Sequence, residues 1–208
     1  MRSNPPRRLH PPAWFAAIGR AVVRLVDLIL VRVYGIWCFS RAPGCIYRLS
    51  WVRAPVDHTF ADGTKVSRGE RILNLHIWNE RLPAAGPAGP DLAWGRAMYA
   101  NTVQSFRLLS AYLDSSPQLA AVHCLWGEMA FGEDERTIRR LLTRLGMEVT
   151  EAPGGRVYRF WANLWSWLLM WLYSPTSARG RSFLDLRRYH LWVSRSRLRE
   201  QYGETVGR

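Results

Sequence analysis

From Arg71 to Glu80 apolar and polar positions alternate: Leu73, Leu75 and Ile77 point one way, and Asn74, His76, Trp78 and Glu80 the other. The pattern predicts a strand with one greasy face and one face that can bond, stack or ionise. Upstream, Cys45 to Arg53 alternates loosely and Pro55 breaks the run. Asp62-Gly63 then supplies a strong hairpin signal, with Lys65-Val66 as its return. Ser67 to Glu70 is a second turn, so residues 35–80 read as an antiparallel meander. Arg81 to Pro90 holds three prolines and two glycines, which end the strand without starting a new element.

Asp91 is placed to cap a helix running to Leu113, with Trp94, Met98, Phe106 and Leu109 at helical spacing, and Pro117 closes it. Ala120 to Trp126 is a continuous apolar run of strand length, with His123 as its polar exception and Glu128 just past its end. Glu133-Asp134 caps a short helix in which Ile138, Leu141, Leu142 and Leu145 oppose Arg136, Arg139, Arg140 and Arg144, ending at Gly146. Met147 to Ala152 is a brief strand. The expected class is α+β: the meander continues into a mixed sheet with two packed helices, and amphipathic helices flank it at both ends.

The ends have their own patterning. Residues 1–12, basic and proline-rich, are expected to form a disordered arm. Over residues 13–37, Arg20, Arg24 and Asp27 share one stripe of a helix, while Phe15, Ile18, Val22, Leu25, Ile29 and Val33 spread over the other side. Charges interrupt this segment too often for a bilayer span. It fits either a helix lying in a membrane surface or one packed on the protein's own sheet. Residues 38–155 are taken as the core domain and 156–208 as a Trp/Arg-rich helical segment. Within the latter, Phe160 to Tyr173 carries four tryptophans, and Arg179 to Arg199 seven arginines interleaved with Leu, Tyr and Trp.

Composition sharpens this picture. With 29 basic against 16 acidic residues the net charge is +13, and every basic residue except Lys65 is arginine. The partner surface is therefore anionic. Beside 11 tryptophans, this balance suits a lipid headgroup layer or nucleic acid. Nucleic acid is disfavoured, because the arginines alternate with apolar residues rather than forming an exposed stripe. Arg20, Arg24, Trp165, Trp167, Trp171, Arg187 and Arg188 are the expected membrane contacts, at the cytoplasmic face of the cell membrane. Cys38, Cys45 and Cys124 show no CxxC pair and no histidine at ligand spacing, so reduced thiols are expected, and neither a metal nor another cofactor.

Candidate chemistry centres on the polar strand face. If the strand carrying His123 neighbours the one carrying His76, two imidazoles could converge with Glu80 and Glu128, histidine serving as general base and glutamate orienting it. His76, Glu80 and His123 are thus the catalytic candidates, with Asn74, Trp78, Asn79 and Glu128 as substrate contacts. The competing reading makes each histidine a hydrogen-bonded structural residue, and no nucleophile stands out. His58 is expected to be exposed and His190 to belong to the basic face.

The run Phe60-Ala-Asp-Gly-Thr-Lys-Val-Ser-Arg-Gly-Glu-Arg-Ile-Leu-Asn-Leu-His-Ile-Trp-Asn-Glu-Arg-Leu82 resembles the central segment of the YkoP-like domain, in which a Gly-Asp pair precedes Leu-His and Asn-Glu. Glu70 stands where that pattern has Asp. The resemblance extends over about residues 45–155 and carries His76, Asn79 and Glu80 across as typical positions without known roles. That family has no established activity. Its occurrence beside polysaccharide deacetylase domains implies a part in envelope lipid or glycan metabolism, with an envelope-biosynthesis enzyme as a partner. The order of elements is also similar to that of the GNAT acyltransferases, which would use acyl-CoA or acyl carrier protein. Here the spacing of Arg81, Gly86 and Gly89 departs from that family's phosphate loop, and Pro83 and Pro87 remove amide donors.

Overall fold

The computed structural model describes residues 13–131, 135–178 and 182–203. The expected basic arm, the Glu133-Asp134 cap, Arg179 and the side chain of Phe15 lie outside the described residues. In chain order the elements are α1 (Ala13–Val33), β1 (Tyr47–Arg53), β2 (His58–Thr59), β3 (Lys65–Val66), β4 (Arg71–Ile77), α2 (Leu92–Ser115) and β5 (Cys124–Phe131). There follow α3 (Glu135–Arg144), β6 (Glu148–Glu151), α4 (Arg156–Tyr173), α5 (Pro175–Ala178), β7 (Arg187–Ser194) and α6 (Arg195–Tyr202).

Five strands form one mixed sheet in the order β1-β4-β5-β7-β6, and β2 with β3 forms a small antiparallel hairpin. The β4–β5 pair is parallel, with Leu73 opposite Leu125, and the other neighbours run antiparallel. The class is α+β, as the alternation implied. The hairpin turns at Asp62-Gly63, where Gly63 adopts a φ of 84° and Phe60 N–H donates to the Thr64 carbonyl. Asp62 then accepts from the Ser194 and Ser196 hydroxyls, tying the turn to the end of β7.

One sheet face carries Leu49, Leu73, Leu125, Leu191 and Val193, packed with Phe106, Leu109 and Leu113 of α2, Leu142 of α3, and Leu198 and Tyr202 of α6. The opposite face is divided. At one end Phe60 and Val66 of the hairpin cover Ile72, Trp126 and Trp192. At the other end α4 and α1 lie over polar residues.

Three local expectations differ from what is found. The strand predicted over 71–80 ends at Ile77, and a 3-10 turn occupies Asn79–Arg81. At this turn the Arg81 guanidinium donates to the carbonyls of Arg41 and Ala42 and lies 3.8 Å from the Trp78 ring. The apolar run 120–126 becomes strand only from Cys124 and continues to Phe131. It pairs with β4 on one side and, over its whole length, with β7 on the other, from Cys124 opposite Ser194 to Phe131 opposite Arg187. Third, the C-terminal segment is not helical throughout and not separate from the core: β7 lies between β5 and β6. Tyr189 to Val193 is apolar or aromatic at nearly every position because both of its faces are buried, and such a run has no readable period.

The end of α3 carries a testable detail. Met147 N–H donates to the Leu142 carbonyl and Gly146 N–H to the Thr143 carbonyl, a Schellman closure with Gly146 at a φ of 80°. A Cβ there would stand 2.6 Å from the Gln201 Oε1. Gly146→Ala is expected to lower stability by about 1–2 kcal/mol, the cost of left-handed backbone for a residue with a side chain, read as a shift in urea midpoint at unchanged slope. A neutral substitution would contradict this backbone assignment.

Candidate functional site

Under α4 and α1 the sheet presents Arg48 and Ser50 of β1, His76 of β4, Glu128 of β5, and Arg188 and His190 of β7. Strand register places Arg48 opposite His76, and Glu128 opposite His190. The helices close the layer with polar groups set among tryptophans. Arg188 Nε donates to Glu128 Oε1, and its Nη1 donates to Asn163 Oδ1 and Ser166 Oγ, both at 3.1 Å. Tyr158 Oη donates to Glu128 Oε2 at 2.7 Å. The Arg188 and Glu128 side chains are only 9% and 12% exposed. Every strong acceptor on this pair is therefore used, as a buried ion pair requires. Burial and the Glu128 carboxylate push the Tyr158 phenol up to about 12, so it stays a donor.

Nearer the amino-terminal helix, His76 Nε2 lies 2.8 Å from the Ser50 hydroxyl. Arg48 reaches Glu80 at 3.9 Å and the Trp78 ring at 5.5 Å, while its buried Nε has no hydrogen-bond partner among the described residues. Tyr173 Oη of α4 donates to Asp27 Oδ2 of α1 at 3.0 Å. Burial raises the Asp27 carboxyl above its usual range and raises the Tyr173 phenol as well. Asp27, the acid of the predicted polar stripe, thus faces inward.

Burial, followed by the Arg48 charge, lowers His76 from 6.5 to about 4. A base that weak is poorly matched to neutral pH. Its stability effect has a definite sign. The fold disfavours the proton, so stability is full above 6.5 and falls as the pH drops toward 4, where the unfolded chain takes the proton up. The loss from this residue is on the order of 2–3 kcal/mol. His76→Gln is expected to flatten that part of the pH–stability curve; an unchanged slope would mean that His76 is open to water. Burial also lowers His190, which contributes in the same direction.

The predicted site residues are only partly brought together. β4 and β5 are adjacent, and His76 and Glu128 lie on the same sheet face toward the same end. His123 does not join them: it precedes β5, at the opposite end of the parallel pair, with its Nε2 2.9 Å from Glu70 Oε1. Glu128 lies within the strand rather than past it and is bound to Arg188. Glu80 leaves the strand face yet still meets Arg48. Asn74 stands opposite Ser50, Trp78 is stacked between Arg48 and Arg81, and Asn79 opens the 3-10 turn.

Other placements also depart from expectation. His58 is not free on the surface: its ring stacks on Trp192 at 4.7 Å and bonds Glu148 at 3.0 Å. His190 is buried, edge-on to Trp126, rather than on a basic face. Arg188 cannot reach a headgroup, because Glu128 holds it inside. Trp165 and Trp167 are half-buried, and Trp171 lies against Gly19 and Arg20 of α1. Arg24 and Arg187 remain exposed.

Sequence reasoning missed Arg48, Ser50, Tyr158, Asn163 and Ser166. The signal for the last two was present: Asn and Ser one turn apart inside an otherwise apolar helix imply polar partners. No curated protein and no solved structure matches the chain. The YkoP domain matches residues 47–202, from the first residue of β1 to the last of α6. That span includes the whole sheet, the polar layer and α4, reaches well beyond the 45–155 read from sequence, and leaves α1 outside. The chain therefore belongs to the YkoP domain family.

Proposed function

We propose that this is a peripheral membrane protein of envelope lipid or glycan metabolism, seated on the anionic cytoplasmic leaflet by α1 and acting on or presenting a lipid-linked intermediate there. One observation carries the reading. α1 turns Val23 and Asp27 inward and leaves Ile18, Val22, Leu25, Leu28, Ile29 and Val33 between 52% and 71% exposed. A helix packed on its own domain would do the reverse, and so large an apolar face on a monomer marks a contact surface. Arg20, Arg24 and Arg32, all exposed, supply the charges for phosphate headgroups. No helix among the described residues is long and apolar enough to cross a membrane, which suits a helix lying in the interface.

The test is flotation with phosphatidylcholine vesicles, with and without phosphatidylglycerol, at low and high salt. Binding that needs the anionic lipid and weakens with salt supports the reading. Protein that stays unbound under every condition sinks it, and self-association in the absence of lipid would assign the α1 face to a second copy of the chain.

An acyltransferase of the GNAT kind is the alternative, and the sheet order favours it: β4 and β5 form the parallel pair, joined by only two residue pairs, with α2 connecting them. The entry to α2 argues against it. Asp91 caps that helix by accepting from Trp94 N–H at 2.8 Å, placing a carboxylate where a pyrophosphate would need free amides. Trp94 Nε1 also donates to the Pro83 carbonyl and fastens the loop. A thermal shift with acyl-CoA that saturates at micromolar ligand would overturn the preference.

A further inference from the structure

We infer that the cavity between the first turns of α4, the 183–185 turn and the β6–β7 edge binds a phosphate monoester, with the ester's organic group lying against phenylalanine. This names the ligand class that the membrane reading leaves open, and it rests on that reading only for where the phosphate comes from. The cavity measures about 740 Å³, large enough for a phosphorylated small molecule or a lipid headgroup. Four arginines line it, Arg156, Arg159, Arg187 and Arg188, against the carboxylates of Glu151 and Asp185.

The arginines differ in how far they are already committed. Arg188, in the wall, is consumed by Glu128, Asn163 and Ser166. Arg187 is 76% exposed, and its nearest carboxylate, Glu135 at 3.8 Å, is held more closely by Arg139 at 3.2 Å. Arg156 and Arg159 make no ion pair among the described residues. They stand three apart on α4 and so share a face of the helix. Arg187 lies toward Glu135 of α3, so the dianion site is formed by the two α4 guanidinium forks that make no ion pair among the described residues, because such forks match phosphate oxygens two at a time.

The apolar side of the cavity is also formed. Phe160 and Phe183 pack edge to face at 5.5 Å, and Leu184 at the rim is largely exposed. α1 meets the other end of α4, at Trp171 and Tyr173. The cavity and the exposed α1 face therefore lie on the same side of the sheet, at opposite ends of one helix.

The test titrates the full chain calorimetrically with dihexanoyl phosphatidic acid below its micelle concentration, with dihexanoyl phosphatidylcholine as the zwitterionic control and glycerol 3-phosphate as the soluble ester. The wild type is expected to bind phosphatidic acid at least about tenfold more tightly than phosphatidylcholine. Arg156→Ala/Arg159→Ala is expected to lose at least about tenfold, the loss that one or two charge-assisted hydrogen bonds imply. Both residues are exposed on a helix, so this variant should keep its fold, checked by its urea midpoint. Glycerol 3-phosphate binding as tightly as phosphatidic acid supports the site and makes its ligand soluble; weaker binding supports it and makes the ligand a lipid. Absence of phosphatidic acid binding by the wild type, or equal binding by the double variant, overturns the proposal. A Leu25→Asp/Ile29→Asp variant that no longer floats with vesicles yet still binds phosphatidic acid would sustain this site independently of the membrane reading, and the opposite pattern would separate them the other way.

Discussion

Arg188→Met is expected to destabilise the protein by about 3–5 kcal/mol, the usual cost of leaving one member of a buried ion pair without its partner. The substitution strands the Glu128 carboxylate in a layer where its side chain is 12% exposed, with the Tyr158 hydroxyl as the one remaining donor among the described residues. It also takes from Asn163 and Ser166 the cation that fastens α4 to the sheet. Much of the cost is the desolvated charge rather than lost packing. Glu128→Leu/Arg188→Met is therefore expected to recover most of the loss, since it buries no charge. Urea titration of the two variants provides the comparison. A single variant within about 1 kcal/mol of wild type would mean the pair is hydrated and α4 is held by its tryptophans instead.

Leu25→Asp/Ile29→Asp is expected to abolish vesicle binding while leaving the isolated protein as stable as before. Both side chains are more than half exposed in the fold, so replacing them should change stability by less than about 0.5 kcal/mol. In the interface each contributes about 0.8–1.5 kcal/mol by taking the exposed half of its surface out of water, so the pair loses at least about tenfold in partitioning. The added carboxylates face an anionic leaflet and push in the same direction. Flotation read beside the urea midpoint distinguishes this from unfolding. A variant that floats normally would show that some other surface makes the contact. Arg20→Ala/Arg24→Ala is the milder companion, expected to cost about 1 kcal/mol per arginine at low salt and little at high salt.

Much of the local architecture could be read from residue order. The Asp62-Gly63 hairpin, the Asp91 cap on α2 and the β6 strand all appear where short-range pattern puts them, because each is dictated by neighbours within a turn or two, whereas the α3 stripe holds only for Ile138, Leu142 and Leu145: Leu141 is exposed, and Arg139 turns in to the Val149 carbonyl. The face assignment of Leu73 and His76 follows from the period of two. The C-terminal third was misread because Tyr189 to Val193 is buried on both faces, which removes the alternation that marks a strand. His123 falls outside the strand and Glu128 inside it because β5 starts four residues and ends five residues later than the apolar run, with limits set by a partner strand some sixty residues later.

The sequence by itself determined the class of the protein: alternation and helical stripes specify an α+β core, and 29 basic against 16 acidic residues, every basic one but Lys65 an arginine, set its strongly positive charge. Only the tertiary structure decided which way α1 faces and which arginines are free. Helical periodicity defines two sides of α1 without saying which one meets the domain; the Tyr173 hydroxyl, far along the chain, turns Asp27 inward and sends the apolar side out. In the same way Arg187 and Arg188 are indistinguishable as neighbours in sequence. Strand geometry points them to opposite faces, so one is held by Glu128 in the interior beneath α4 and the other lies exposed on the α3 side, 3.8 Å from Glu135.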